Sequence, residues 1–386
     1  MSESSVTGVR SKRVGSAELF FDLVFVFAVT EISALLVSDH SWAGLVRALV
    51  LFVPVYWLWV GTSIQTNLRD ASRPGLRVTV FAVALAGVFM ALALPEAFDG
   101  QAMLFACAYW AGRLVLGFSL LRRGARGATS RLNPYTVSIF VTGPLLILGA
   151  LLPSGGREAL WGFAALLDLS TPTILRSRMR AMRLDAAHLA ERFSLFVLIA
   201  LGESVVAIGV SARSGGHLTL SVGCAVAAAF VLSCGLWWVY FAFAADAIEH
   251  ALATAKVQLD ITRLVLSYGH LSFIAAIILV AVGMHDAVAH PGHPLGWARA
   301  GLLDGGTALY LATFGFTRWA MFRLISTTRL TAAAVVVVAL PLAAYLPALA
   351  ALSGLAATVA VLNLVELMRV EKVGWRALLE RRAVSR

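Results

Sequence analysis

Charge is low in this sequence: 13% of its 386 residues are Asp, Glu, Lys or Arg, against about a quarter in an ordinary soluble domain. Cysteine is rarer still. Cys107, Cys224 and Cys234 all sit in long apolar runs, with no CxxC or Cys/His spacing. That argues against a disulfide framework or a zinc site and predicts buried thiols acting as small hydrophobes. There is no HExxH, no Ser-His-Asp order and no phosphate-binding glycine loop. No named reaction, no metal and no cofactor is therefore expected. Hydrophobic side chains make up 60% of the chain, and 31 Lys and Arg against 21 Asp and Glu leave a net charge of +10. Such apolarity excludes a disordered chain. A basic balance ordinarily raises nucleic-acid binding, but that requires charged, solvated faces, so no nucleic-acid partner is expected. The composition is that of an integral membrane protein whose first partner is the lipid bilayer.

Crossing the hydrocarbon core takes roughly 20 apolar residues in a helix. Segmentation on that length predicts an all-α polytopic bundle with spans at 18–37, 43–64, 77–98, 101–121, 135–152, 157–175, 189–210, 219–245, 262–284, 298–320, 331–347 and 350–368. Pro341 and Pro347 interrupt the last pair. Arg10, Lys12 and Arg13 before an apolar stretch look like a signal peptide, but Asp22 and Glu31 lie within that stretch and no clear small-residue cleavage site follows. It reads as a retained first span.

Charge placement orients these spans. With the N-terminus inside, the cytoplasmic segments collect Arg10, Lys12 and Arg13, then Arg69, Arg73 and Arg77, then Arg122, Arg123, Arg126 and Arg131. Next come Arg176, Arg178, Arg180 and Arg183, then Lys256 and Arg263, then Arg318, Arg323 and Arg329. The tail adds Arg369, Lys372, Arg376, Arg381, Arg382 and Arg386. Arg157, Arg213, Arg47 and Arg299 fall on the outer side, and Arg113 and Arg192 fall inside spans. This positive-inside pattern predicts a multi-pass protein of the inner (plasma) membrane with both termini cytoplasmic. The outer stretches 38–42 and 285–297 carry no Lys or Arg. His285, His290 and His293 in the second have no helical ligand spacing and suit a solvated loop better than a metal site.

An internal repeat is also legible. The first span runs from Glu18-Leu-Phe-Phe-Asp22 to Glu31, and the seventh from Glu191-Arg-Phe-Ser to Glu203. The following spans share Tyr56-Trp57-Leu58-Trp59 and Leu236-Trp237-Trp238, and the fourth and tenth share Tyr109/Arg113 and Tyr310/Arg318. Two six-helix halves, 1–187 and 188–386, are expected, the second ending in a basic cytoplasmic tail. Six is even, so both halves insert in the same orientation, an arrangement common among secondary transporters.

A charge at the bilayer centre costs about 2.5–3.5 kcal/mol on insertion scales, so it faces protein and takes a partner. Asp22, Glu31, Arg113, Asp168, Glu191, Arg192, Glu203 and Glu366 lie in or near spans. Glu18 and Asp22 share a helix face, as do His188, Glu191 and Arg192 by i, i+3, i+4 spacing. Two uses stay open. Glu18 with Ser16, and Glu191 behind Asp185, suit helix N-termini; Arg113 and Arg192 suit neutralisation of neighbouring acids. The ion-, proton- or substrate-binding candidates are Asp22, Glu31, Arg113, Glu191, Arg192 and Glu203. Gly202 beside Glu203 permits close backbone approach. Asp168, beside Pro172, suits a structural role.

These segments resemble the bacterial low-temperature-requirement A family of multi-pass membrane proteins. The resemblance rests on Glu18-Leu-Phe-Phe-Asp-Leu-Val-Phe-Val-Phe-Ala, His188-Leu-Ala-Glu-Arg-Phe-Ser-Leu-Phe, Leu201-Gly-Glu-Ser-Val-Val-Ala-Ile-Gly209, and Tyr268-Gly-His-Leu followed by Ala281-Val-Gly283. One departure is Trp237-Trp238-Val-Tyr-Phe-Ala242, where the family pattern often has Asp at the last position; here Asp246 follows one turn later. The resemblance implies membrane location and growth in the cold, without a fixed biochemical activity. Three functions are expected candidates. The first is a transporter-like permease with intramembrane carboxylates binding an ion or proton. The second is a membrane enzyme acting on a lipid or hydrophobic small molecule, with His188, Glu191 and His270 in acid–base roles beside Tyr268. The third is a non-catalytic stress sensor. A small molecule or ion and a second copy of the chain are candidate partners.

Overall fold

The computed structural model describes residues 13–69, 73–121, 133–180, 182–214, 217–242 and 244–384, with side chains to 369. Arg10, Lys12, Arg122, Arg123, Arg126, Arg131 and Arg386 of the charge pattern lie outside the described residues, as do the side chains of the other tail cations beyond Arg369.

A chain in hydrocarbon must satisfy its own backbone polar groups, and helices do so within one segment. The helices are α1 (Ser16–Ser38), α2 (Trp42–Asn67), α3 (Pro74–Ala93), α4 (Ala102–Leu121), α5 (Pro134–Ala150), α6 (Gly156–Ile174), α7 (Ala186–Ser214) and α8 (Leu220–Phe241). They continue with α9 (Ala244–Thr254), α10 (Gln258–Ala289), α11 (Gly296–Phe322), α12 (Thr327–Tyr345) and α13 (Ala348–Val384). No strand occurs among the described residues. Each predicted span falls on a helix, and among the described residues nine helices are long and apolar enough to cross a membrane. The other three are α5, which is short, and α6 and α11, where Arg157, Glu158 and Asp168, or Arg299, Asp304 and Arg318, dilute the apolar content.

Local chemistry sets several boundaries. Pro74 opens α3 after extended Arg73, where its missing N–H leaves no hydrogen bond unmade. Asn133 caps α5 by accepting from the N–H groups of Tyr135 and Thr136 at 2.9 and 3.1 Å. Pro341 lies inside α12 without ending it, and Pro347 occupies the tight turn before α13. That turn is pinned to the histidine-containing loop: Ala348 N–H donates to His293 O at 2.9 Å and Leu349 N–H to Pro291 O at 3.0 Å. Among the described residues no group of acids, histidines or cysteines could hold a metal. In the 39–41 loop, the Ser41 hydroxyl and N–H beside Asp39 hold its carboxyl below the usual carboxylate range.

Packing divides the chain into two units. The first comprises the described residues up to Ala28, Val53–Phe196 and Ala245–Arg263. Within it α3 packs along α4, and α6 packs on α5. Buried Trp161 and half-buried Trp110 satisfy their indole N–H groups on backbone, at Leu146 O and Ile139 O, each at 2.8 Å. The second comprises Val29–Phe52, Val197–Ala244 and Leu264 onward. Here α11 packs on α10 and α12, and α8 packs on α13. Gly283 makes the first contact possible: a Cβ there would lie 2.6 Å from that of Leu303. The three cysteines correct an expectation. All are exposed, on the outward faces of apolar helices, because no neighbouring helix covers those positions.

Candidate functional site

The first unit contains a sealed cluster built from α1, α2 and α7. Glu18, Asp22, His188 and Arg192 each have 0% relative exposure. Each pair is spaced i, i+4 and so occupies one face of its helix. Arg192 Nη1 donates to Asp22 Oδ2 at 2.8 Å and to Glu18 O at 2.8 Å. Trp59 Nε1 donates to Asp22 Oδ1 at 2.8 Å. Hydrogen bonds to charged groups contribute about 1.5–3 kcal/mol each, so the two on Asp22 offset part of the cost of its burial. The arginine also lies over the rings of Trp59 and Phe21, at 5.7 and 5.8 Å from their centroids. Trp59 is held in turn by stacking on Phe196 at 4.1 Å.

The protonation state of His188 follows from its neighbours. Asp185 N–H, an obligate donor, meets Asn67 Oδ1 at 3.0 Å, while Asn67 Nδ2 donates to Asp185 O at 2.8 Å. This bidentate grip fixes the amide orientation. Asn67 Nδ2 also meets His188 Nδ1 at 3.1 Å, so Nδ1 is the acceptor. His188 is therefore neutral, and its Nε2–H points at Glu18 Oε2 at 3.3 Å. Asp185 Oδ1 caps α7 by accepting from His188 N–H at 3.1 Å.

Glu18 is held from several sides. Its Oε2 accepts from Gly15 N–H at 2.9 Å, so Gly15, not Ser16, precedes the first helical turn, with Glu18 reaching back to it. The Thr66 side chain also hydrogen-bonds this carboxylate, and Oε1, with no close hydrogen bond of its own among the described residues, lies 3.9 Å from Arg192 Nε. Arg192 Nε and Nη2 also lack hydrogen-bond partners among the described residues. Two carboxylates thus face one guanidinium and a neutral imidazole. Fully ionised, the cluster carries one surplus negative charge.

A second cluster in the same unit surrounds Arg113. Its Nε donates to Tyr109 OH at 3.1 Å, and that hydroxyl donates to Asp168 Oδ2. Ser138 and Thr142 donate to Asp168 Oδ1 at 2.9 and 3.1 Å. Both come from Ser138–Thr142, a π-helical stretch of α5 whose extra residue re-aims the hydroxyls. Gly61 makes room for the guanidinium, since a Cβ there would come within 2.7 Å of Arg113 Nη1. One arginine balances one aspartate.

The remaining candidates lie elsewhere. Glu191 is exposed and accepts from Val14 N–H at 3.3 Å, so Glu18 takes the place in the cluster that helical spacing suggested for Glu191. In the second unit Glu31 and Glu203 are half-buried, and Glu203 bonds the Thr30 hydroxyl. His270 there donates from Nδ1 to Val265 O at 3.0 Å and accepts from Tyr240 OH at 2.7 Å. Glu366 pairs with Arg329 through two 2.9 Å bonds. Sequence reasoning missed the parts played by Trp59 and Asn67, whose only signal is position in the second span, and it left Glu18 as a helix-end residue.

Apolar helices of membrane-crossing length, with ion pairs sealed among them, define a multi-pass membrane protein. Residues 13–364 match the family model described as bacterial low temperature requirement A protein (LtrA). The chain belongs to that family. It is 34% identical over 308 residues to the uncharacterized protein RA0937 of Rhizobium meliloti (strain 1021), covering 76% of this chain and 74% of that one. No solved structure matches it.

Proposed function

We propose that the protein is a secondary transporter or permease of the bacterial inner membrane, in which the α1–α2–α7 cluster takes up and releases a proton or a monovalent cation. The observation that carries this is the charge surplus. Glu18 and Asp22 share one permanent cation, Arg192, with His188 beside Glu18, and a buried surplus charge calls for a counter-ion or a proton. Glu18 Oε1, 3.9 Å from Arg192 Nε, is the atom to receive it, with Thr66 and Gly15 on the same carboxylate and Asp22 and Arg192 beside it. Glu203, on the same helix as His188 and Arg192, and Glu31, on that of Glu18, are further cation-binding candidates, and Arg113 is a residue that holds the bundle.

The rest of the proposal is architectural: twelve spans, cytoplasmic termini, and a parallel repeat of 1–187 and 188–386. Support for the repeat comes from the cluster itself. His188 meets Glu18 and Arg192 meets Asp22, so α1 and α7 run in the same direction at the contact, as parallel halves require. The acid–base enzyme draws less support, because both ring nitrogens of buried His188 are engaged by protein.

Reconstitution tests the proposal. Proteoliposomes carrying a trapped pH indicator should acidify when a pH gradient or a cation gradient is imposed. Glu18→Gln should reduce that flux about tenfold or more per folded protein, the equivalent of at least 1.4 kcal/mol. No flux from wild-type protein across a panel of monovalent cations, or an unchanged rate in the variant, would sink the idea.

A further inference from the structure

The second unit holds an acid that the cluster above does not involve and that sequence reasoning passed over. Asp304 on α11 is 3% exposed, and its Oδ2 is buried without a hydrogen-bond partner among the described residues. It lines a cavity of about 190 Å³ with Val336, Ala339 and Ala343 of α12 and Ala351, Gly354 and Leu355 of α13. Gly354 is exposed, and an added Cβ there would meet nothing within 4 Å, so the cavity opens on this side. The Thr358 hydroxyl, also in the lining, donates to Gly354 O at 2.9 Å.

No charge on the packed elements answers Asp304. The stretches 273–284 of α10, 330–344 of α12 and 348–365 of α13 contain no titratable side chain, and Tyr345 at the end of α12 is exposed and lies edge-on to Trp297. The nearest on α11 itself are Arg299, which pairs with Asp286 at 3.1 Å, and Tyr310, which donates to Leu236 O at 3.0 Å. An ionised carboxylate alone among apolar walls is unfavourable by several kcal/mol or more, so the group is either protonated or joined by a cation. The donor set decides which cation. A bare metal ion needs about six oxygen ligands, and this cavity supplies one carboxylate among aliphatic side chains. A cation that brings its own apolar surface fits both features, its charge at Asp304 and its body against the aliphatic wall. The cavity also shares Thr358 with a cleft of about 640 Å³ that continues between α12 and α13 to Thr327 and Thr331. Arg369 lines only that cleft. The two together offer a lengthwise passage for a slender molecule.

We propose that the α12–α13 cavity is a binding site for an organic ammonium ion with a slender apolar body, and that the ion displaces the Asp304 carboxyl proton. The carboxylic acid and the ammonium ion give an ammonium carboxylate pair, and the proton leaves to water. No covalent bond other than O–H is broken.

The test uses full-length protein in lipid nanodiscs and radiolabelled butyltrimethylammonium, a quaternary ion with no N–H of its own. Wild-type protein should bind it saturably and release a proton per ion bound. Asp304→Asn should weaken binding about tenfold or more. Gly354→Leu fills the cavity but keeps the acid; it should weaken binding as much while melting like wild type, and it decides the matter if Asp304→Asn does not fold. Binding that is equal in wild type and both variants, or binding without proton release, would overturn the proposal. The assay reads binding at α12–α13 and no flux, so it fails or succeeds independently of the Glu18 cluster.

Discussion

Arg113 and Arg192 are both sealed within apolar helices of the same unit, with 2% and 0% relative exposure, yet they keep different company. Arg113 reaches one acid, Asp168, through Tyr109, and two hydroxyls complete the acid's bonding. Arg192 reaches two acids, one through a direct bond and one through an ion pair whose outer oxygen lacks a hydrogen-bond partner among the described residues. The first arrangement is charge-balanced, with its acid fully bonded and only Arg113 Nη2 left without a hydrogen-bond partner among the described residues, as suits a device joining α4, α5 and α6. The second has a surplus and an open acceptor. Charge in hydrocarbon is costly enough that a surplus marks where a mobile ion belongs, whereas a balanced pair marks where helices are joined.

Removing either side of a balanced or paired charge should have the largest effect. Arg192→Leu leaves Glu18 and Asp22 buried together without a cation, and a loss of about 3–5 kcal/mol is expected. Thermal unfolding of detergent-purified protein checks this, and a melting temperature near wild type would mean that the acids do not depend on Arg192. A smaller loss should follow Trp59→Phe. The ring keeps its place on Phe196 but Asp22 loses one of its two bonds, a change of about 1.5–3 kcal/mol in the same unfolding measurement. Glu18→Gln should matter least to stability, about 1 kcal/mol or less, because the amide oxygen still accepts from Gly15 and His188 while the surplus charge is removed.

Part of this was legible in the sequence. Long apolar runs make each charged residue conspicuous, and i, i+4 spacing placed Glu18 with Asp22 and His188 with Arg192 on single faces. Nine of the twelve expected spans also stood out as helices long and apolar enough to cross a membrane among the described residues. What was illegible is pairing across distance: nothing local in Tyr56-Trp57-Leu58-Trp59 says that Trp59 will meet an acid 37 residues away. Glu191 misled because i+3 spacing allows two faces. It sits about 100° around the helix from Arg192, and here that direction is exposed. Asp304 escaped notice because a single acid among glycines and alanines carries no spacing signal; only the cavity beside it reveals it.

The contrast between the two arginine clusters is tested most directly by melting Glu18→Gln and Asp168→Asn side by side. Both changes neutralise one buried acid while keeping its shape. Asp168→Asn should lose about 3–5 kcal/mol, since it strands Arg113, while Glu18→Gln stays within about 1 kcal/mol of wild type. Equal losses in the two variants, or a larger loss in Glu18→Gln, would contradict the assignment of one cluster to structure and the other to ion binding.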